Sequence, residues 1–332
     1  MKILILTDTH LGLDKSSDIW HEVTLNLFRE VTDLCLSKNI DTILHLGDFF
    51  HEKKHTNQKS LNIAYEIANI IKPLNMSIIT GNHDIYYKDV ITPSSLECFN
   101  DTENINVITK TTVFSTKTNS VCLIPWKGDI PSNEMYHYPW VFGHFEINDF
   151  AYNNVRISEG SELNPSDFKH FQAVYSGHFH TPSSKYNINY IGSAFQQTFS
   201  DVGSPRGYYI WEDGELEFFE YKGAPKFIKV HTEQKIENVQ GNIVKLIYDK
   251  DYGTNKNTKI LEQVERMNPL KLKPDFTNIS LEGEEFLEND GTDISILDHT
   301  DIIREWVKLN KVPENINKKT LLNIMIKMLE EE

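Results

Sequence analysis

The spacing of apolar positions changes along the chain, and each change marks a different kind of element. KILILT at 2–7 is a short unbroken apolar run, and residues 20–35 then set Trp20, Val23, Leu27, Phe28, Val31, Leu34 and Cys35 at helical spacing. DTILHL at 41–46 is strand-like again. A second helical stripe carries Leu61, Ala64, Ile67, Ala68 and Ile71, with Pro73 just beyond its end, and SIIT at 77–80 gives a third strand. Strand, helix, strand, helix, strand is the order of a parallel sheet with crossover helices.

The middle of the chain has a shorter rhythm. TTVFST, SVCLIPW, WVFGH, AVYSGH, YNINYIGS, RGYYIW and LEFFEYK are strand candidates separated by turn residues, and Asp213-Gly214 between the last two signals a hairpin. The expected architecture is α/β: two mixed β-sheets packed as a sandwich flanked by helices, ending near 225. KFIKVHT and NIVKLIYDK read as further strands and 257–267 as a helix, which makes a small α+β domain ending near 280. EGEEFLENDGTD at 282–293 is acidic and poor in apolar residues, as an exposed linker is. Two helices are expected after it, around 298–310 and 318–330, the second apolar over more than one face. The resulting divisions are 1–227, 228–281, 282–296 and 297–332.

Composition narrows the class. The 332 residues are 39% hydrophobic and 24% charged, ordinary for a globular chain of two or three domains. No apolar run approaches the roughly 20 residues of a membrane span, and MKILILTDTH is too short for a signal peptide. Cys35, Cys98 and Cys122 are odd in number and form no CxxC pair, as a reducing cytoplasm permits. A formal charge of −15 argues against binding nucleic acid through an overall positive field. A nuclease whose cations are metals, or whose basic surface belongs to a partner, is still compatible with it.

The chemistry collects at the ends of the strands. KILILT runs into Asp8-Thr9-His10, TILHLG into Asp48 and His51, SIITG into Asn82-His83-Asp84, WVFG into His144, and AVYSG into His178-Phe179-His180. In open α/β sheets the site lies outside the carboxyl ends of the strands, so these clusters converge on one edge. Asp8 with His10, and His178 with His180, stand two apart, which in extended chain puts both side chains on one face while Thr9 or Phe179 points away. Any one of these histidines alone reads more simply as a hydrogen-bonded surface or core imidazole; all of them together do not. Carboxylates, an amide oxygen and several imidazoles, with Asp48 available to bridge, describe a two-metal site with ions roughly 3.5 to 4 Å apart. Mixed nitrogen and oxygen ligation suits Mn or Fe, with Zn as an alternative; Mg favours oxygen alone.

The order D-x-H, G-D, G-N-H-D, G-H, G-H-x-H resembles that of the calcineurin-like metallophosphoesterases. The resemblance implies that Asp8, His10, Asp48 and His180 hold one metal and that Asp48, Asn82, His144 and His178 hold the other. His83 would protonate the leaving oxygen or stabilise the transition state, and Asp84 would orient its ring. Protein phosphatases of this superfamily follow the second motif with Asp-Arg, but here the text is Gly47-Asp48-Phe49-Phe50-His51-Glu52-Lys53-Lys54, which weakens a monoesterase reading.

GDFFH, GNHD, IPW at 124–126 and GHFH instead resemble the SbcD-type DNA repair nucleases. GHFEINDF at 143–150, IGSAFQQTFSD at 191–201 and PRGYYIW at 205–211 are similar to the recombination endonuclease subunits of T-even-like bacteriophages. The likeness spans most of 1–230. It implies a Mn-dependent exonuclease and endonuclease acting on DNA, with Mg, Fe or Zn as alternative metals, and His51 as a second catalytic or phosphate-steering histidine. It also implies a DNA-facing capping domain at 228–281, and helices in 297–332 that dock onto an SbcC-type ABC ATPase. A homodimer within a heterotetramer, in the cytoplasm of an infected bacterium and without a membrane partner, completes the expectation. Lys53, Lys54, His55 and Lys59 are candidates for phosphate contact. Two other readings stand beside this one: a small-molecule phosphodiesterase or phosphatase, and a mainly scaffolding subunit for the ATPase.

Overall fold

The layering of the molecule follows from its first strand, β1 (Lys2–Leu6). Ile3 and Ile5 enter one buried cluster and Leu4 and Leu6 another, because successive side chains of a strand leave opposite faces. The computed structural model describes residues 1–88, 90–115, 120–131, 139–151 and 158–278. After β1 come helix α1 (Asp18–Ser37), β2 (Thr42–His45), helix α2 (Gln58–Ile70), β3 (Asn75–Ile79) and β4 (Ile105–Ile108). Then follow β5 (Thr112–Ser115), β6 (Ser120–Ile124), β7 (Trp140–His144), β8 (Ala173–Gly177), β9 (Ser183–Lys185), β10 (Ile188–Tyr190), β11 (Gly207–Glu212) and β12 (Glu215–Glu220).

These strands form two six-stranded sheets, in the orders β12-β11-β1-β2-β3-β4 and β5-β6-β7-β8-β10-β9. β1 to β4 run parallel, and β11 closes onto β1 antiparallel. In the second sheet β6, β7, β8 and β10 are parallel, with antiparallel strands at both edges. Both sheets are therefore mixed, as the sequence predicts.

Between the sheets lies a shared core. Ile3, Ile5, Leu44 and Ile79 from the first meet Val121, Leu123, Trp140, Phe142 and Tyr175 from the second, with Trp211 among them. The outer face of the first sheet packs on Trp20, Val23, Leu27, Phe28, Val31 and Cys35 of α1 and on Ala64, Ile67 and Ala68 of α2. The outer face of the second holds Cys122, Ile124, Val141, Val174 and Phe179. Burial on both faces is why the central strands read as unbroken apolar runs.

At the predicted hairpin, Asp213 and Gly214 both have positive φ, 49° and 102°, between antiparallel β11 and β12, as the right-handed strand twist favours. YNINYIGS holds one strand, β10, as the sequence predicts; the short β9 before it, paired with β10 across a turn at Tyr186 (φ 58°), was not predicted. β4 was not predicted, because INVI is four residues long and only half buried.

A third sheet of β13 (Phe227–His231), β14 (Ile243–Ile247) and β15 (Lys271–Asp275) is parallel throughout. With helix α3 (Thr254–Glu265) it encloses its own core of Val230, Val239, Val244, Leu246, Tyr248 and Val264. KLKPD carries no apolar period, so β15 was also missed; its Pro274 is tolerated because the strand lies at a sheet edge. Phe227 and Ile243 instead join the first sheet's outer cluster, with the Phe227 ring stacked 6.1 Å from Trp20. The expected linker at 282–296 and the helices of 297–332 lie outside the described residues. No helix among the described residues is long and apolar enough to cross a membrane. The three cysteines are free, and burial pushes each thiol up to about 12.

Trp211 is fully buried, with its ring 5.1 Å from Trp140 and 5.4 Å from Phe142. Trp211→Ala should cost about 3–5 kcal/mol, read as a fall in the urea midpoint, whereas Trp211→Phe should recover most of the loss.

Candidate metal centre

The ends of β1, β2, β3, β7 and β8 deliver the predicted residues to one place, where the two sheets meet. Beyond the strands the first two loops stay paired, Asp8 N donating to the Gly47 carbonyl and His10 N to the Asp48 carbonyl, both at 3.1 Å. At this line the chain leaves extended geometry. Asp8, His10, Asp48 and His178 have φ of 52°, 44°, 54° and 87°, left-handed conformations that cost a non-glycine residue roughly 1–3 kcal/mol each. The extended-chain argument for the i, i+2 pairs is therefore corrected: Asp8 and His10 meet through left-handed turns, and His178 and His180 go to different groups. Thr9 and Phe179 do point away, Thr9 Oγ1 to the His45 ring at 3.0 Å and Phe179 into the outer core beside Tyr190.

Asp8, His10 and His180 form one group of potential ligand atoms, all within 4.8 Å of one another, and Asp48, His144 and His178 form a second. In the first, His10 Nε2 lies 3.1 Å from His180 Nε2 and 3.8 Å from Asp8 Oδ1. In the second, His144 Nε2 lies 3.3 Å from Asp48 Oδ1, and the Asn82 amide oxygen is 3.0 Å from His144 Nε2 and 2.9 Å from His178 Nδ1. Asp48 stands between the groups, its Oδ2 3.7 Å from His10 and its Oδ1 toward His144. His51 and His83 form a third cluster with His10.

The donor set suits divalent cations. Neutral imidazoles that face each other through Nε2 beside a carboxylate present lone pairs to one point, and a cation there satisfies them all. Backbone and neighbouring rings fix the tautomers. His144 Nδ1 donates to the Leu46 carbonyl at 2.7 Å, which leaves Nε2 toward Asp48. Burial lowers the His10 pKa well below the usual histidine range, so its Nε2 lone pair faces the first group when its Nδ1–H donates to His51 Nδ1, 3.4 Å away. His83 Nδ1 donates to the His51 carbonyl at 2.7 Å, which reserves Nε2 for other work.

Charges in this buried space constrain one another. Burial raises the Asp8 pKa, only partly offset by His144 and His180. Asp48 meets the same penalty, but His144 beside it holds the carboxyl well below the usual range. In His144 burial opposes protonation, yet the Asp48 carboxylate, by charge and hydrogen bond, lifts the imidazole to about 9.

Asp84 does not orient the His83 ring. Its carboxylate accepts Phe50 N at 3.0 Å and Gly81 N at 2.9 Å, tying the second loop to the third, and the His51 carbonyl holds the ring instead. Sequence reasoning missed the buried support behind Asp8. Gln197 Nε2 donates to the Asp8 carbonyl at 2.5 Å, Asp201 Oδ2 accepts Gln197 N at 2.9 Å, and Arg206 Nη2 pairs with Asp201 Oδ1 at 2.8 Å. His45 was missed as well: it links Thr9 to Gly47 N, and burial takes its pKa down to about 3. Their one signal was polar residues inside FQQTFSD, PRGYYIW and TILHLG, which spacing cannot tell from surface positions.

Residues 1–213 match the family of calcineurin-like phosphoesterases. The chain is 32% identical over 231 residues to exonuclease subunit 1 of Enterobacteria phage T4, a match that covers 67% of each protein. It is 26% identical over 234 residues to a subunit of the SbcCD nuclease of Staphylococcus saprophyticus, across 68% of this chain and 56% of that one. Over 87 residues it is 30% identical to the DNA double-strand break repair protein Mre11 of Saccharolobus solfataricus, across 25% of this chain and 23% of that protein.

A Cβ at Gly177 would collide with Thr7 Oγ1 and with the Leu46 carbonyl that orients His144. Gly177→Ala should lower stability by about 1–3 kcal/mol and weaken Mn²⁺ uptake in equilibrium dialysis, whereas Gly160→Ala, on open surface but strained by its φ of 86°, should lower stability and leave uptake unchanged. Because the Asp48 carboxylate lifts the His144 imidazole to about 9, Mn²⁺ binding at neutral pH should expel its proton. The apparent affinity should rise up to about tenfold per pH unit between pH 6 and 8. Calorimetry in buffers of different ionisation heat should register the released proton.

Proposed function

The chain belongs to the calcineurin-like phosphoesterase family, and from that premise we propose that it is a metal-dependent DNA nuclease, the nuclease subunit of an SbcCD-type recombination and repair complex. One observation carries the reading: two ligand groups meet at Asp48, with His51 and His83 beside the first of them. Asp8, His10, Asp48 and His180 would hold one ion, and Asp48, Asn82, His144 and His178 the other, with Mn²⁺ favoured by the mixed donors. Bound there, divalent ions polarise a phosphoryl oxygen and lower the pKa of water.

The residues of this chain do the rest. The His51 carbonyl fixes His83 through Nδ1, so Nε2 is the atom that hands a proton to the leaving oxygen. His51 orients His10 through their facing Nδ1 atoms and steers the incoming phosphate. Asp84 holds the loops that carry Asp48 and His83 in register. Asp48 is followed by Phe49-Phe50-His51-Glu52-Lys53-Lys54, without the arginine with which a phosphatase grips a terminal phosphate. That favours a diester. The relatives named as nucleases support DNA as its source.

The third sheet with α3 would be the DNA-facing cap, and 297–332 would dock an SbcC-type ATPase within a heterotetramer built on a dimer of this chain. A basic ATPase surface would reconcile DNA binding with a charge of −15. Deletion of 297–332 should abolish capture of the ATPase.

The test is hydrolysis of end-labelled duplex and single-stranded DNA by the full chain in Mn²⁺, Mg²⁺ or EDTA. Cleavage should require the metal and fall about 10²–10⁴-fold in His83→Ala, with Mn²⁺ uptake retained. Cleavage of a generic diester but never of DNA, with or without the ATPase, would favour a small-molecule phosphodiesterase. No turnover of any substrate would favour a scaffold.

A further inference from the structure

The loop after the third motif ends in two adjacent tyrosines that the core does not use. Tyr86 is 41% and Tyr87 55% exposed, with ring centres 4.8 Å apart and planes at 72°. In this edge-to-face arrangement the edge of one ring rests on one face of the other, so only one ring face of the pair is taken up by its neighbour. Lys54 Nζ lies 5.8 Å from the centre of the Tyr86 ring, and Lys53 and Lys88 are exposed nearby in sequence; among the described residues Glu52 beside Lys53 and Glu162 near Lys88 are opposing charges.

The loop is closed at both ends. Ile85 bridges to Ser94, Tyr86 N donates to the Pro93 carbonyl at 3.1 Å, and Ser94 Oγ donates to the Asp84 carbonyl at 2.8 Å. On the other side Trp126 Nε1 donates to the Lys88 carbonyl at 3.3 Å, and the Trp126 ring lies 5.2 Å from that of His178. The tyrosines are thus anchored to the metal centre on one side through His83-Asp84 and on the other through Trp126.

Resting on the nuclease reading, we propose that Tyr86 and Tyr87, with Lys54, form a stacking platform for unpaired bases that lie beside the metal centre. Aromatic faces bind bases of any sequence, and ammonium groups bind the phosphates between them. A duplex keeps its base faces inside the stack, so the platform recognises single-stranded DNA or frayed ends. Two features favour a nucleic-acid strand over an apolar protein partner: the lysines match phosphate, and the loop runs directly into the residues that act on the phosphodiester. Anchoring at both ends means little ordering is required when the strand arrives.

The test measures fluorescence anisotropy of labelled oligothymidylate and of a blunt hairpin duplex with the full chain in EDTA. It compares wild type, Tyr86→Ala/Tyr87→Ala, Tyr86→Phe/Tyr87→Phe, and Tyr186→Ala, an exposed tyrosine in the turn between β9 and β10. The alanine pair should weaken single-strand binding about tenfold or more and duplex binding less than about threefold. The phenylalanine pair and Tyr186→Ala should bind as wild type. Equal losses on both DNAs, or no loss on the single strand, would overturn the platform. Wild-type cleavage of DNA alongside either result would show that the platform fails while the nuclease reading stands. A wild type that neither binds nor cleaves DNA would sink both.

Discussion

The site depends on one constraint, the approach of backbone to backbone where the two sheets touch. Gly81 lies so close to Asp48 that a Cβ there would strike the Asp48 amide and carboxylate, and Gly177 sits against Thr7 and the Leu46 carbonyl. At that spacing groups from one sheet orient ligands from the other: the Leu46 carbonyl takes the His144 proton, and Asp8 accepts the His178 amide. The shared core of aromatic rings behind this line holds the sheets in place, so precision at the ligands derives from packing far from them.

The same closeness creates an electrostatic debt. Asp8 and Asp48 are almost wholly buried, and an isolated carboxylate in such a place is costly. At Asp8 the surrounding imidazoles only partly offset this, whereas at Asp48 the imidazole of His144, itself lifted toward protonation, outweighs it; burial keeps His10 and His178 neutral. Left-handed backbone at four candidate ligand positions adds strain to the same few residues. Sites that concentrate buried charge and strain persist because the fold over-determines them. Here Gln197, Asp201, Arg206 and His45, none of them a ligand, supply that support from behind.

Much of this was legible in the sequence, for a physical reason. Strands buried on both faces must be apolar throughout, so KILILT, TILHLG, SIITG, WVFG and AVYSG stand out, and the first polar residue after each run is where the chain leaves the core. The convergence of Asp8, His10, Asp48, Asn82, His144, His178 and His180 followed from that alone. The path by which they converge did not. Positive φ at a histidine has no sequence signature, so spacing paired His178 with His180 although the turns part them. Buried polar supports such as Gln197 and Arg206 look like surface residues until a partner is seen. β4 and β15 escaped because an edge strand buries too little to impose a period.

Phe49 fixes the loop that carries Asp48. The position after Asp48 faces one of two environments, the site or the core, and here the ring is fully buried among Phe28, His45, Phe50 and Phe99. A charge at that depth would be buried without a partner, so the packing that fixes the second loop requires an apolar residue beside Asp48. What the centre then offers a substrate is imidazoles on one side and, past His83 and Asp84, a loop with exposed aromatic rings and lysines. Under the proposed function, a strand flanking the scissile phosphate would find its contacts on that loop.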